Sequence, residues 1–521
     1  MVRLPLAFAI ASSYAAALLN LGASPAGRRA SALAFFLAVW ATARLEAQCP
    51  DGTPPPCAVR VARAPAPAPT SVAVLYFDNL SRDTSDAFLA DGLTEEIIIR
   101  LGQVPRLDVK SRFEVQRFRG QAAQDPAVLG RNLRAAYLVT GSVQRAGNRV
   151  RLRYEVIRAA TRARVGGDVI DRASSDLLTI ESDIARQVAT AITGQLLPEE
   201  RARLAQPLTT DALAYEEYLR GLEEMNHSYD EPTVRSALVH LDRAIARDST
   251  FAAALASKAQ AWGGLADGYV SPQEGYGHAR DAAARSLALD SSQARAYAAL
   301  GFAVLALDLD AHEAERLGQR AVALDPGGDQ PHALLSYALF AEGRIDESLE
   351  EARRAWQADS LASMNGVSYA WWLILGHRFD SAAALLPRLR AILPPADADG
   401  IEGIVLAARG DFRGATHLLN WRYYGGLVAG TYLRALLARG DTVAARATVD
   451  SMLVARALGY YNPIALAKAY AAFGDLDKGI EWLTRAFDEH TLWLILVRID
   501  DELAPLRADP RYAALDRQLR Y

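Results

Sequence analysis

Two rhythms of apolar and polar positions divide this chain. From 71 to 200 the pattern switches between two-residue alternation and helical spacing; from 209 to 490 it is helical throughout. SVAVLYFDN (71–79) is a continuous apolar run rich in valine and aromatics, closed by Asp-Asn, and predicts a buried strand. Residues 85–102 carry Phe88, Leu89, Leu93, Ile97 and Leu101 at helical spacing. LDVKS (107–111) predicts a short strand, and 125–134 a short helix with Asp125 as N-cap and Pro126 at the first helical position. In 137–165, Val143, Val150, Leu152, Tyr154 and Val156 alternate with polar residues around Ala146-Gly147-Asn148, which predicts two antiparallel strands and their turn. GGDVIDR (166–172) predicts another strand, and 176–197 a closing helix.

The stretches VAVLYFDNLSRDTSDAFLADGLTEEI and AAYLVTGSVQRAGNRVRLRYEVI resemble the TolB amino-terminal-like (FlgO-like) module. The resemblance covers about 125 residues and implies a small α/β domain without catalytic residues. It also implies the setting of bacterial multidomain proteins, in which the module often precedes tetratricopeptide repeats. Relatives frequently carry an adenylate cyclase, a protein kinase or a winged-helix domain in front, where this chain has an apolar segment. Asp91, Glu95 and Glu96 in DGLTEE suggest a metal or acid/base site at first sight. Adjacent glutamates point in different directions on a helix, so a structural role is expected, with Gly92 allowing close packing.

Beyond residue 208 a unit recurs. The small residues Ala237, Ala279, Ala314, Ser348, Ala382, Ala415, Ala445 and Gly479 follow one another at spacings of 42, 35, 34, 34, 33, 30 and 34. Turns such as EGRIDES (342–348) and GDLDKG (474–479) precede them, and motifs such as ALDP (323–326) end several units. These units resemble tetratricopeptide repeats, about eight over 209–490. Each is a pair of short amphipathic helices, with a small residue where the two cross. One pair cannot bury its apolar face, whereas a stack can. Trp262, Leu335, Tyr337, Trp356 and Trp372 are expected between helices. The unit at 403–436 departs from the pattern, with Trp421, Tyr423 and Tyr424 where its second helix should run. The helix after Pro510 in 491–521 is expected to cap the stack. The expected fold is therefore a small α/β domain (71–200) followed by an all-α solenoid of antiparallel helix pairs. Residues 198–207 between them read as either a rigid helix or a hinge.

The amino-terminal region adds a compartment. Residues 4–19 and 31–43 are apolar, Arg28 and Arg29 precede the second run, and LEAQ follows it. Residues 1–48 read as a secretory signal cleaved after Ala47 or as an uncleaved anchor, with the body outside the cytoplasm in both cases. Residues 49–70 form a linker rich in cysteine, proline and alanine. Cys49 and Cys57 are the two cysteines of the 521-residue chain. No histidine lies near enough to complete a metal site, and seven intervening residues, prolines included, are wrong for a redox pair. A short disulfide loop fits best and agrees with an oxidising compartment; two free thiols in an unstructured tail are the alternative. The alternating Ala-Pro that follows predicts an extended tether, and the segment before it, if uncleaved, is expected to associate with a membrane.

Charge distinguishes the domains. The whole chain carries -4, yet 100–172 holds 16 Lys/Arg against 6 Asp/Glu. Arg145, Arg149, Arg151 and Arg153 form a candidate basic patch for anionic head groups, set against an ordinary solvated face; export makes nucleic acid an improbable partner. Nothing calls for a cofactor. There is no phosphate loop, dinucleotide fingerprint, His-Glu-x-x-His or Gly-x-Ser-x-Gly, the eight histidines are scattered, and His312-Glu313 lacks a second histidine. The expected function is a non-catalytic scaffold of the bacterial envelope. Its groove would bind a peptide or protein, with Tyr218, Tyr297 and Tyr337 as candidate contacts. The alternative is a sensor or regulatory module acting through a separate output protein.

Overall fold

A computed structural model describes residues 67–521, apart from 84–85, 174–179, 206, 228–229, 267, 359–362 and 423–427. The expected signal or anchor, the Cys49–Cys57 loop, most of the Ala-Pro tether, Tyr423 and Tyr424 lie outside the described residues.

The α/β part is one mixed sheet with helices against it. Its strands are β1 (Ser71–Val74), β2 (Asp78–Asn79), β3 (Asp108–Val109), β4 (Tyr137–Ala146), β5 (Arg149–Arg158) and β6 (Ala163–Ala173). The order is β3-β1-β4-β5-β6, with β2 beside β4. β1 runs parallel to β3 and β4, while β4, β5 and β6 are antiparallel. The five alternating residues, Val143 to Val156, are all buried on one face. Gly147 turns the hairpin at φ 60°, a conformation that suits glycine. The helices are α1 (Ala87–Gly102), α2 (Arg112–Gln116), α3 (Pro126–Leu133), α4 (Ile180–Thr193) and α5 (Pro198–Ala205). Asp125 caps α3 by accepting from the Ala127 N–H at 3.0 Å. The five-residue α2 was not foreseen; Ser111 and Glu114 close a capping box around it.

Eight helix pairs follow among the described residues. They are α6 (Ala212–His227) with α7 (Glu231–Arg247), α8 (Ala252–Leu265) with α9 (Pro272–Leu289), and α10 (Ala294–Leu307) with α11 (Ala311–Leu324). Next come α12 (Asp329–Ala341) with α13 (Ile345–Ala358), and α14 (Ser363–Leu375) with α15 (Phe379–Leu389). The last three are α16 (Pro395–Ala408) with α17 (Phe412–Leu418), α18 (Ala429–Ala438) with α19 (Thr442–Leu458), and α20 (Pro463–Phe473) with α21 (Leu476–Asp488). All eight small residues that marked the period are buried on the second helix of their pair. At Gly479 a methyl group would stand 2.6 Å from Leu506 Cδ2 of the carboxy-terminal segment, so the packing of α21 on that segment leaves no room for a side chain. The irregular unit keeps a second helix of seven residues, α17.

The α/β part and the first repeats share one apolar core, running from Val72 through Leu219 to Val270, so the boundary near residue 200 is not a boundary of packing. α1 packs against both α4 and α6. Residues 198–205 are helical, and Arg106 Nε donates to Glu200 Oε1 at 2.9 Å. The contact between α1 and α6 depends on Gly92, where a Cβ would lie 2.8 Å from Leu219 Cδ2. Gly92→Val is expected to destabilise the chain by about 1–3 kcal/mol through overpacking, read as a lower urea midpoint at unchanged slope.

Residues 491–521 do more than cap. They form two 3-10 turns (Leu492–Leu496 and Asp501–Leu503), then α22 (Ala504–Arg507) and α23 (Tyr512–Asp516). Tyr512, Leu515 and Leu519 join the core of the last repeat, as a cap should. The first turn instead packs against α10 and α12, far back along the solenoid.

Candidate partner groove

The concave side of the solenoid encloses a cavity of about 1530 Å³. Its floor comes from equivalent positions of three successive repeats. Phe302 on α10, Tyr337 on α12 and Trp372 on α14 are each 35 residues apart. Phe302 and Tyr337 meet edge to face at 5.3 Å, and Tyr337 and Trp372 at 4.9 Å. Trp372 stacks on Phe340 at 4.2 Å. Such contacts order the rings beyond simple area burial. The Tyr337 hydroxyl lies 2.9 Å from Ser368 Oγ, and burial raises its pKa.

The α/β part forms one wall, through Ile98, Val109 and Arg112. Arg112 Nη1 lies 3.3 Å from Glu95 Oε2, and Glu95 also accepts from the Tyr76 hydroxyl at 2.9 Å. Burial, with Glu95 adding to it, pushes the Tyr76 phenol well above its ordinary pKa. Arg295 on α10 reaches Ser257 Oγ at 2.8 Å, and Asn365 on α14 donates to Asp329 at 3.0 Å. Leu492 and Trp493 form part of another wall. The chamber thus offers an aromatic floor beneath charged and amide groups of both polarities. Such a surface can seat apolar side chains and hydrogen-bond a backbone.

Of the three predicted groove tyrosines, only Tyr337 lines the cavity. Tyr218 is fully buried between the α/β part and the first repeats, its ring 4.9 Å from Phe251 and its hydroxyl 3.4 Å from Glu96. Tyr297 is half-buried outside the cavity, with the Arg320 guanidinium 5.9 Å from its ring. Helical spacing identifies an inner helix, but not which of its faces looks into the groove. The 35-residue recurrence of Phe302, Tyr337 and Trp372 was the available signal.

The basic patch also divides. Arg149, Arg151 and Arg153 lie exposed along β5. The first two share Asp171, at 2.6 and 2.7 Å, and their hydrogen bonds, Arg151's foremost, hold its carboxyl below the usual range. Arg145 leaves the patch; it sits 2.9 Å from the buried Glu216 on α6 and ties sheet to solenoid. The acids of DGLTEE do not converge. Asp91 pairs with Arg119 at 2.7 Å, Glu95 with Arg112, and Glu96 with Arg100 at 3.5 Å. His312 pairs with Glu342 at 2.8 Å. Among the described residues, no group of three or more His, Cys, Asp or Glu side chains is placed to hold a metal ion.

No known family profile matches the chain. A protein of Rhizobium meliloti named "Putative adenylate cyclase 3" is 32% identical over 155 residues, which are 30% of this chain and 26% of that protein. The chain therefore spans about a quarter of the length of the curated relative it matches. Solved structures similar to parts of it include Pseudomonas aeruginosa pilF, at 16% identity and TM-score 0.31, covering 42% of this chain and 95% of that one. Yeast Tom70 aligns at 15% identity and TM-score 0.35, covering 58% of this chain and 67% of that one. The fold class is a tetratricopeptide-type solenoid joined to a small α/β domain, as its own helix pairs define it.

Proposed function

We propose that this chain is a non-catalytic scaffold that holds a peptide or protein partner in the groove of its solenoid. The observation that carries the reading is the aromatic floor repeated over α10, α12 and α14, facing a cavity edged by Arg112, Arg295 and Asn365. In this reading the α/β part is a TolB amino-terminal-like (FlgO-like) module, and the body works in the bacterial envelope, tethered or released by residues 1–70. The apolar runs and the Cys49–Cys57 loop support that setting. A second reading is regulatory: the module and repeats adjust an output protein made separately. The shared 155 residues favour it, since they are a minor part of a relative whose name carries a cyclase.

Tyr269 and Met364 line the groove and are 45% and 49% exposed, so charging them leaves the core intact. A stoichiometric partner purified with the wild-type chain is expected to be lost from a Tyr269→Glu/Met364→Glu variant with unchanged thermal midpoint. Retention of the partner by that variant would sink the groove as its site.

A further inference from the structure

The segment after α21 turns back into the solenoid that precedes it. Thr491 caps its first turn, and Leu492, Ile495 and Leu496 enter the same core as Tyr276, Tyr337 and Trp372. The Trp493 ring lies 6.4 Å from that of Tyr337, over the aromatic floor. At its far end the Arg520 N–H donates to the Leu309 carbonyl at 2.8 Å, and the Ala311 N–H donates to the Arg520 carbonyl at 3.0 Å. Gln273 Nε2 adds a bond to the Asp488 carbonyl at 3.0 Å. The last repeat is thereby joined to α9, α10 and the α10–α11 loop, more than 150 residues earlier.

Three features mark this segment as separable. Its helical pieces are five residues or shorter and cannot persist without the surface beneath them. Leu309, which accepts the Arg520 bond, is held at φ 53°, a strained conformation for a branched side chain that its surroundings must enforce. The segment is held on α20 largely by polar contacts: Lys468 faces Asp500 at 2.5 Å and Glu502 at 3.4 Å, and Asn462 donates to Thr491 Oγ1 at 2.8 Å.

We propose that residues 491–521 are a releasable strap. Closed, the strap fills the middle of the groove with Leu492 and Trp493; lifted, it opens the groove to a longer apolar segment that takes the place of Trp493 on Tyr337. The competition with a partner rests on the groove being the partner site, while the lifting itself does not. Local opening of a cooperative unit is visible in native-state hydrogen exchange.

In the intact chain, the amides of Leu494, Val497 and Arg520 are expected to exchange about 10-fold or more faster than those of Leu305 and Ala338 in the repeat helices. Trp493→Ala is expected to speed only the first group. Exchange of both groups at one rate, or their joint acceleration in the variant, overturns the strap. The probe for occlusion is a fluorescein-labelled peptide of residues 488–500. It is expected to bind the Trp493→Ala chain about 10-fold more tightly than the wild type; equal affinity for the two overturns the occlusion. The Tyr269→Glu/Met364→Glu variant should leave tail exchange unchanged. A failed groove with an intact strap is thus told apart from a failed strap.

Discussion

Replacing Lys468 by methionine is expected to lower the stability of the last repeat and the returning segment by about 3–5 kcal/mol. Lys468 is 1% exposed and meets the buried Asp500 and the largely covered Glu502. Burial alone would lower its pKa, but the two carboxylates outweigh burial and hold it raised. Glu502 is raised too, by burial and by Asp500, against the pull of Lys468. Methionine matches the lysine stem in length and removes the cation that faces both carboxylates, leaving only the electrostatic pull of Arg434 on Glu502. Removing one partner of a buried pair is far more damaging than removing the whole set. Lys468→Met/Asp500→Asn/Glu502→Gln should therefore recover most of the loss. Chemical denaturation followed by tryptophan fluorescence measures both, since Trp482 and Trp493 lie in or beside this core. A single variant as stable as the wild type would mean that water reaches the site.

A second large effect concerns pH and the junction of the α/β part with the solenoid. Glu96 and Arg100 on α1 meet Glu181 on α4 beneath Tyr215 and Tyr218 of α6, and all five are buried. Burial, reinforced by Glu96 and opposed by Arg100, pushes the Glu181 carboxyl up to about 8; burial raises Glu96 as well. An acid whose pKa is higher folded than unfolded contributes stability in full below its unfolded value. That contribution is lost as pH rises through the folded value. The junction is thus expected to weaken from near pH 5 to beyond pH 8, by about 2–3 kcal/mol between pH 6 and 9. Glu181→Gln should flatten the slope, because an amide occupies the site without titrating. Urea midpoints of the two chains across that range test it; parallel pH profiles would show that Glu181 is already ionised in the fold.

How much was legible follows from the range of each signal. The β4–β5 hairpin could be read because alternation and a glycine turn are local, and Val150 to Val156 needed only one covered face. The repeat period was visible because the two helices of a pair cross closely at a small residue: a Cβ at Gly221 would lie 3.3 Å from the Ala237 carbonyl oxygen. Arg145 was misplaced because its partner Glu216 lies 71 residues away, on a helix whose contact with the sheet no local pattern reveals. Tyr218 was misplaced for the same reason. Its helix α6 is the first of the solenoid, yet its inner face is taken by α1.

What the chain's own pattern determined, then, is the list of parts: a hairpin sheet, a period near 34 residues, and small residues at each crossing. Those are consequences of local geometry, in which a residue's role depends on neighbours one or two turns away. Only the tertiary structure decided that the sheet domain and first repeat share a core, that Phe302, Tyr337 and Trp372 face one cavity, and that Arg520 bonds to Leu309. The physical reason is accumulation. Small rotations between successive helix pairs add up over eight repeats, and their sum, which no local period encodes, sets which distant residues meet.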